Sequence, residues 1–361
     1  MTDHSMRDLD VDTPALLLDL PALERNIGHM AAFARGAGVN LRPHSKTHKS
    51  PKIASMQLAA GAIGITCQKL GEAEVMAAAG IGGILISSQI VGAQKIRRLL
   101  DLARHAQVLV AVDDARNVSD LSQAFASAGA TLGVVIEVDV GMMRCGVQPG
   151  EPTLVLARQI LESPGLKFMG LMGYEGHTVS IRDGAERRQG ASASLRLLVD
   201  TAELLRHSGV PVGIVSSTGT GTFDTGGGFP GITELQVGSY ATMDADYQEV
   251  GVPFECALTI LATVISTPRE GLAILDAGMK ALAPDHGMPR VLGIEGAEVV
   301  ALSEEHGWMT LPGPGSLVPG DKVRLVPGHG CTTINLHDRY YVVRDGWVED
   351  IWPVAARGRS Q

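Results

Sequence analysis

The sequence predicts an α/β protein, a (β/α)8 barrel with a C-terminal antiparallel β domain. Three observations predict it. Short apolar runs alternate with helix-length patterns over the first two-thirds of the chain. After about residue 250 the helical period disappears and short strand-like runs follow one another, punctuated by Gly and Pro. Polar and glycine-rich segments fall repeatedly just behind the apolar runs of the first part.

In chain order, residues 13–18 form an apolar strand, with Asp19 and Pro21 opening a helix behind it. Strands are then expected at 39–42, 62–66, 83–87, 107–112, 132–138, 168–174, 212–216 and 234–237. Helices are expected between them at 20–37, 51–60, 70–79, 93–105, 115–128, 153–162 and 184–208. Strands alternating with helices imply a parallel sheet, and eight such units fit a closed barrel over residues 19–248. A doubly wound open sheet is the alternative, because periodicity cannot see closure. No dinucleotide-type glycine fingerprint follows the first strand, which weakens it. Residues 249–361, with 1–18, make the β domain: strand-like runs at 256–266, 272–275, 297–302, 308–311, 322–326, 340–343 and 347–351 lie between turns such as Pro312-Gly313-Pro314-Gly315 and Pro327-Gly328. They suggest a sandwich or small barrel.

Composition narrows the function classes. The 361 residues are 45% hydrophobic and 19% charged, with a formal net charge of -9, so there is no electrostatic footprint for nucleic acid. No apolar run approaches a membrane span, and Met1-Thr2-Asp3-His4 has no signal-peptide pattern. Cys67, Cys145, Cys256 and Cys331 are too scattered for a disulfide framework. A cytoplasmic enzyme acting on a small molecule is the expectation, with neither nucleic acid nor membrane as partner.

In a barrel of this kind, function lies just past the C-terminal ends of the strands. Lys46 follows the first strand in Arg42-Pro43-His44-Ser45-Lys46-Thr47-His48-Lys49, where Pro43 disfavours helix. The segment reads either as a solvated basic loop or as a lysine tuned by neighbouring cations to form a Schiff base. Gln68 follows strand two, Arg144 strand five, and Tyr174 and His177 strand six. Thr218-Gly219-Thr220 follows strand seven and Gly238-Ser239-Tyr240 strand eight. Small residues let backbone N–H groups converge on an anion, and these last two loops are the usual phosphate site of barrels. A phosphate clamp opposite a lysine is what pyridoxal 5′-phosphate requires. Tyr174 could lie against its ring or pack at the rim, and Arg144 could meet its phenolic oxygen or pair at the surface.

These residues carry a resemblance. Residues 42–49, Cys67-Gln68-Lys69, Glu137-Val138-Asp139-Val140-Gly141 through Arg144-Cys145-Gly146, Thr233-Glu234-Leu235-Gln236 through Gly238-Ser239-Tyr240, Leu275-Asp276-Ala277-Gly278 and Pro327-Gly328-His329-Gly330-Cys331 resemble motifs of the D-threonine aldolase and eukaryotic-type D-serine dehydratase family. Members are pyridoxal-phosphate enzymes of the alanine-racemase-like fold type III, and the resemblance runs nearly end to end. It implies a homodimer whose site borrows from the partner's β domain. It makes Lys46 the Schiff-base lysine and Arg144 the arginine near the phenolic oxygen. The backbones of Gly219–Thr220 and Gly238–Ser239–Tyr240 would hold the phosphate.

His329-Gly330-Cys331 is a His-x-Cys pair, a spacing that on a strand places both side chains on one face. Spacing alone does not fill a zinc site. The resemblance makes His329 and Cys331 the metal ligands, zinc being favoured by the soft thiolate, with manganese or magnesium as alternatives. It also implies a D-3-hydroxy amino acid as substrate. The cysteine tilts the expectation towards dehydration, giving a 2-oxo acid and ammonia. Retro-aldol cleavage to glycine and an aldehyde is the alternative. His177 is a candidate acid or base for either route, or a rim histidine. A racemase would need a tyrosine such as Tyr340 or Tyr341, and would leave the His-x-Cys pair unexplained. A non-catalytic cofactor carrier would lack the β domain. Asp285 and His286 are expected to reach towards a partner's site, and Cys67, Cys145 and Cys256 to be buried thiols.

Overall fold

The computed structural model describes residues 6–313 and 317–361; Met1, Thr2, Asp3, His4, Pro314 and Gly315, read above for a leader and a turn, lie outside the described residues. The chain forms two compact units: one of His29–Lys46, Pro51–Gly238 and Arg359–Gln361, the other of residues up to Gly28, Thr47–Ser50 and Ser239–Gly358.

In chain order the elements begin with β1 (Ala15–Asp19), α1 (Leu20–Ala37), β2 (Asn40–Leu41), α2 (Pro51–Ala59), β3 (Ile65–Cys67), α3 (Leu70–Ala78), β4 (Ile84–Ile86), α4 (Ala93–Ala103), β5 (Val108–Val112) and α5 (Ala115–Ser127). They continue with β6 (Leu132–Glu137), α6 (Glu151–Glu162), β7 (Leu166–Met172), α7 (Gly184–His207), β8 (Ile214–Ser217), α8 (Phe223–Gly227), β9 (Glu234–Leu235) and α9 (Ala245–Val250). Each helix expected from the sequence is present within one or two residues at either end. Apolar stripes are responsible, together with caps such as Asp114 and Asp183, whose carboxylates accept the first free N–H groups of α5 and α7. Those N–H groups hold the Asp183 carboxyl below its usual range.

Strands β2 to β9 form one parallel sheet in the order β2-β9-β8-β7-β6-β5-β4-β3. The ring closes beyond β2: His44 bridges Thr66 in parallel, Ser45 N–H donates to Thr66 O at 2.8 Å, and Thr66 N–H donates to Pro43 O at 2.8 Å. The sheet is therefore the expected barrel and not an open sheet. Leu85, Ala111, Val135 and Met172, from four neighbouring strands, form one buried cluster. Only glycine serves at 170 on β7: its φ is +147°, and an added Cβ would stand 2.0 Å from Ile214 O. Strand β7 begins at Leu166 and ends at Met172, two residues earlier than expected at both ends.

The second unit contains β10 (Leu258–Arg269), β11 (Leu272–Leu275), β12 (Arg290–Leu292), β13 (Glu298–Leu302), β14 (Gly307–Thr310), β15 (Lys322–Val326), α10 (Gly330–Ile334), β16 (Arg339–Arg344) and β17 (Trp347–Pro353). Its sheet runs β13-β14-β11-β10-β1-β16-β17, with β15 paired to β10 and β12 to β15. All pairs are antiparallel except β1 with β16, which is parallel through Leu17 opposite Tyr341. Two details depart from the sequence reading: this parallel pair, and α10, a helical turn where only strands were expected. Val11, Ala15, Leu17, Leu261 and Val343 form a core cluster here. No helix among the described residues is long and apolar enough to cross a membrane.

Candidate active site and metal pair

Lys46 stands where the first barrel strand leaves its ladder. His44 N–H donates to Val237 O at 2.9 Å on one side, and Ser45 is bonded to Thr66 on the other. Residues 45–48 then turn, as the proline and polar run suggest. The Lys46 ammonium lies 5.6 Å from the centre of the Tyr174 ring, and the Arg144 guanidinium 6.0 Å from the same ring. Gly219 packs against it too: a Cβ there would meet Tyr174 Cε2 at 3.2 Å and Val179 Cγ1 at 2.9 Å. Three of the sequence-derived residues, Lys46, Arg144 and Gly219 from behind β2, β6 and β8, thus lie around the Tyr174 ring from behind β7.

Thr218 and Thr220 are buried beside Gly219. Thr218 has φ +76°, a conformation that costs a β-branched residue of order 1–3 kcal/mol. Its hydroxyl is buried with no hydrogen-bond partner among the described residues. A strained backbone presenting a buried, unsatisfied hydroxyl, on a loop whose glycine leaves room beside an aromatic ring, fits the phosphate end of pyridoxal phosphate. Beneath this loop lies Glu175, which sequence reasoning left without a role. Fully buried, its carboxylate accepts from Ser217 Oγ at 3.0 Å, Thr222 Oγ1 at 2.5 Å and the Gly219 N–H at 3.3 Å. That N–H, expected to face an anion, is taken by the carboxylate; no pattern in Tyr-Glu-Gly-His signalled this.

Gln68 sits behind β3 in a polar relay: its side chain meets Ser87 at 3.4–3.5 Å, and Ser87 Oγ meets His44 Nε2 at 3.2 Å. Near Arg144, burial pushes the Glu137 carboxyl up, against a hydrogen bond from Gln89 at 2.6 Å. His177 is exposed and packs over Gly141, where an added Cβ would meet its ring at 3.0 Å.

The His-x-Cys pair lies in the second unit. His329 is the N-cap of α10 and Cys331 its second residue, so the two sit on a helical turn and not on a strand. The turn is held from below by Asp244, whose Oδ2 accepts the Gly330 N–H at 2.8 Å. Burial would lower the His329 imidazole, but hydrogen bonds and charge from Cys331 and then Asp285 raise it to about 9. Asp285 Oδ2 is 2.7 Å from His329 Nδ1, and the His286 ring stacks on His329 at 4.1 Å. Asp285 and His286 are therefore placed against His329 of their own chain. Cys331 Sγ donates to Thr47 Oγ1 at 3.2 Å, and Ser239 Oγ stands 3.8 Å from the same sulfur. An imidazole and a thiol offered together on one turn are a soft donor set that suits zinc.

Of the remaining residues, Gly238 is buried at the end of the barrel unit. The Tyr240 side chain is buried and tilted against Phe254. Tyr340 is fully buried; its hydroxyl donates to His48 O at 2.6 Å, and burial raises it well above the ordinary phenol value. Cys67 is buried as expected, whereas Cys145 is exposed and Cys256 half-buried.

The family model of the alanine racemase N-terminal domain matches residues 18–246, and that of the putative serine dehydratase domain matches residues 257–343. With the barrel and its β domain, these matches define a pyridoxal-phosphate-dependent lyase of fold type III. Within that class, the chain belongs to the D-threonine aldolase and D-serine dehydratase family. It is 45% identical to a D-threonine aldolase of an Arthrobacter species, over 97% of this chain and 94% of that one. It is 38% identical to a 3-hydroxy-D-aspartate aldolase of Paracoccus denitrificans, over 98% and 94%. Identity is 32% to a D-threo-3-hydroxyaspartate dehydratase of Delftia, over 90% and 92%. Among solved structures, a D-threonine aldolase from Filomicrobium marinum matches with TM-score 0.96 at 44% identity, covering 98% of both chains. A cysteine-to-alanine mutant of a D-threo-3-hydroxyaspartate dehydratase, described as the metal-free form, matches with TM-score 0.90 at 29% identity, covering 96% and 98%.

Proposed function

We propose that this lyase cleaves D-3-hydroxy amino acids by a metal-assisted retro-aldol reaction, giving glycine and an aldehyde. The observation that carries the cofactor part is the gathering of Lys46, Arg144 and Gly219 around Tyr174, beside the unsatisfied Thr218 hydroxyl. Support for aldol cleavage over the dehydration favoured by the cysteine comes from the relatives at 45% and 38% identity, both named aldolases.

Residues 19–248 would hold pyridoxal phosphate and residues 1–18 with 249–361 the metal. Lys46 Nζ is the atom that takes the cofactor, Thr218 Oγ1 the group of the 218–220 loop that meets its phosphate, since the Gly219 N–H is held by Glu175, and Gly238–Ser239–Tyr240 a second backbone contact. Tyr174 backs the ring, Arg144 faces its phenolic oxygen, and Gln68 stiffens the Lys46 strand through Ser87 and His44. When bound, the cofactor is an electron sink for charge developing at Cα. A divalent ion on His329 and Cys331, zinc by donor softness, would be a Lewis acid for the substrate's β-oxygen. Glu175 keeps the 217–222 loop rigid, so the donors do not reorganise during turnover. The active form is a homodimer.

Product analysis tests this. Chelated and zinc-restored enzyme is given D-threonine, D-allothreonine and D-3-hydroxyaspartate. Glycine and an aldehyde, restored by zinc, are expected. Ammonia with a 2-oxo acid would instead establish the second reading, a dehydratase, which Cys331 and the dehydratase relative favour. For a racemase, Tyr340 is excluded as the second catalytic group, being buried with its proton given to a backbone carbonyl; Tyr341 is the remaining candidate, and the His-x-Cys pair would still lack a role.

A further inference from the structure

Ligand atoms of Asp285, His286 and His329 all lie within 4.8 Å of one another. They could be read as a metal site in their own right, but the spacing argues otherwise. Asp285 Oδ2 and His329 Nδ1 are 2.7 Å apart, a charge-assisted hydrogen-bond length. Two ligands of one zinc, each about 2.0–2.1 Å from the ion, stand about 3.3 Å apart. Asp285 therefore bonds the histidine and does not share an ion with it at that nitrogen.

The rest of its environment is built for the same purpose. The other carboxylate oxygen accepts from Thr332 Oγ1 at 2.8 Å, so Asp285 holds the helical turn at His329 and at Thr332, the residue after Cys331. The His286 ring, stacked on His329 with an interplanar angle of 28°, is itself anchored by Asp246 Oδ2 at 3.1 Å. Asp244, from the same short segment as Asp246, holds the Gly330 N–H. The imidazole of His329 is thus fixed at one nitrogen, on one face and through its backbone. With Nδ1 taken by Asp285, the second ring nitrogen, Nε2, is the one left to bind an ion.

We propose that Asp285 is a positioning residue for the metal: it keeps the proton of His329 on Nδ1, directing Nε2 to the ion it shares with Cys331. This rests on the metal reading given above. A carboxylate behind a ligating histidine typically governs metal affinity by 10- to 100-fold, by fixing the tautomer and raising ligand basicity.

The test is a zinc titration of the cofactor-loaded enzyme against a competing chelator, with the cofactor absorbance and the thermal midpoint of the metal-free protein recorded alongside. Asp285→Ala should weaken zinc by about 10- to 100-fold, with the cofactor absorbance unchanged. Asp285→Asn, which keeps an acceptor but loses the charge, should fall between it and the parent. Zinc affinity in D285A within twofold of the parent, while H329A and C331A abolish binding, overturns the positioning role and leaves the metal reading standing. Undiminished affinity in H329A and C331A sinks the metal reading, and the positioning role with it. Should D285A not fold, D285N carries the test, and parental affinity in that variant overturns the proposal.

Discussion

The barrel mouth and the His-Gly-Cys turn build their constellations by opposite routes. At the barrel mouth, Lys46, Arg144, Tyr174 and Gly219 come from four different strand ends and share one place because parallel strands in a ring all end on the same side. Around Cys331 the sheet contributes nothing of the kind. His329 and Cys331 sit on a single helical turn, Asp285 and His286 arrive from a loop, Asp244 caps the short α9 and Asp246 lies in its first turn. The first arrangement is dictated by topology. The second depends on a chain of individual hydrogen bonds, each of which can be removed separately.

The largest expected effect is at the barrel mouth. Lys46→Ala should abolish turnover, by more than about 10³-fold, and remove the visible absorbance of the cofactor. If the two regions are as separable as their construction suggests, zinc binding in this variant stays close to that of the parent. Next comes the converse. His329→Ala or Cys331→Ala should cost at least about 100-fold in activity together with the bound metal, while the cofactor spectrum is retained. Loss of the cofactor band in those variants would show that the regions are not independent.

Proton competition sharpens the contrast further. The His329 imidazole of the metal-free protein is raised from near 6.5 to about 9. Its charged form therefore stabilises the metal-free fold fully below about pH 6.5, and this contribution is lost as pH rises through about 9. Zinc needs the neutral ring and the Cys331 thiolate, so apparent zinc affinity should climb at least about tenfold per pH unit from neutrality towards pH 9. A flat affinity profile from pH 7 to 9 would refute this. Cofactor binding offers no such dependence on His329.

Smaller effects separate strain from binding. Thr218→Gly relieves the left-handed conformation but removes the hydroxyl. The cofactor-free protein should gain about 1 kcal/mol in stability, while cofactor affinity falls about tenfold. A loss of stability without a change in affinity would make Thr218 structural only. Smallest of all, Tyr340→Phe leaves the His48 carbonyl without its buried donor. It should cost about 1 kcal/mol of stability, read as a lowered unfolding midpoint, with no racemase activity to lose.

The barrel was legible because its signals are local and repeated. Apolar stripes and capping aspartates mark α1 and α7 almost to the residue, and the position of Lys46 follows from a proline and the end of a strand. The family motifs named His329 and Cys331 as a pair. Sequence spacing misjudged their geometry, since a His-x-Cys reads equally well as strand or helical turn. Glu175 was passed over because a buried carboxylate under a glycine-rich loop looks, in sequence, like any solvated acid.

Composition, alternation and motif spacing by themselves determined a barrel with a β domain, a lysine behind the first strand and glycine-rich loops behind the seventh and eighth. Those follow from backbone periodicity and the obligatory burial of apolar faces, which act over a few residues at a time. Tertiary structure alone decided that β1 pairs in parallel with β16 and that the ring closes at His44 and Thr66. It also decided that Glu175 takes the Gly219 N–H and that Asp285 stands 2.7 Å from His329 across 44 residues of chain. Such contacts are set by how whole elements pack, and a hydrogen bond only ångströms long leaves no periodic trace in the sequence that makes it.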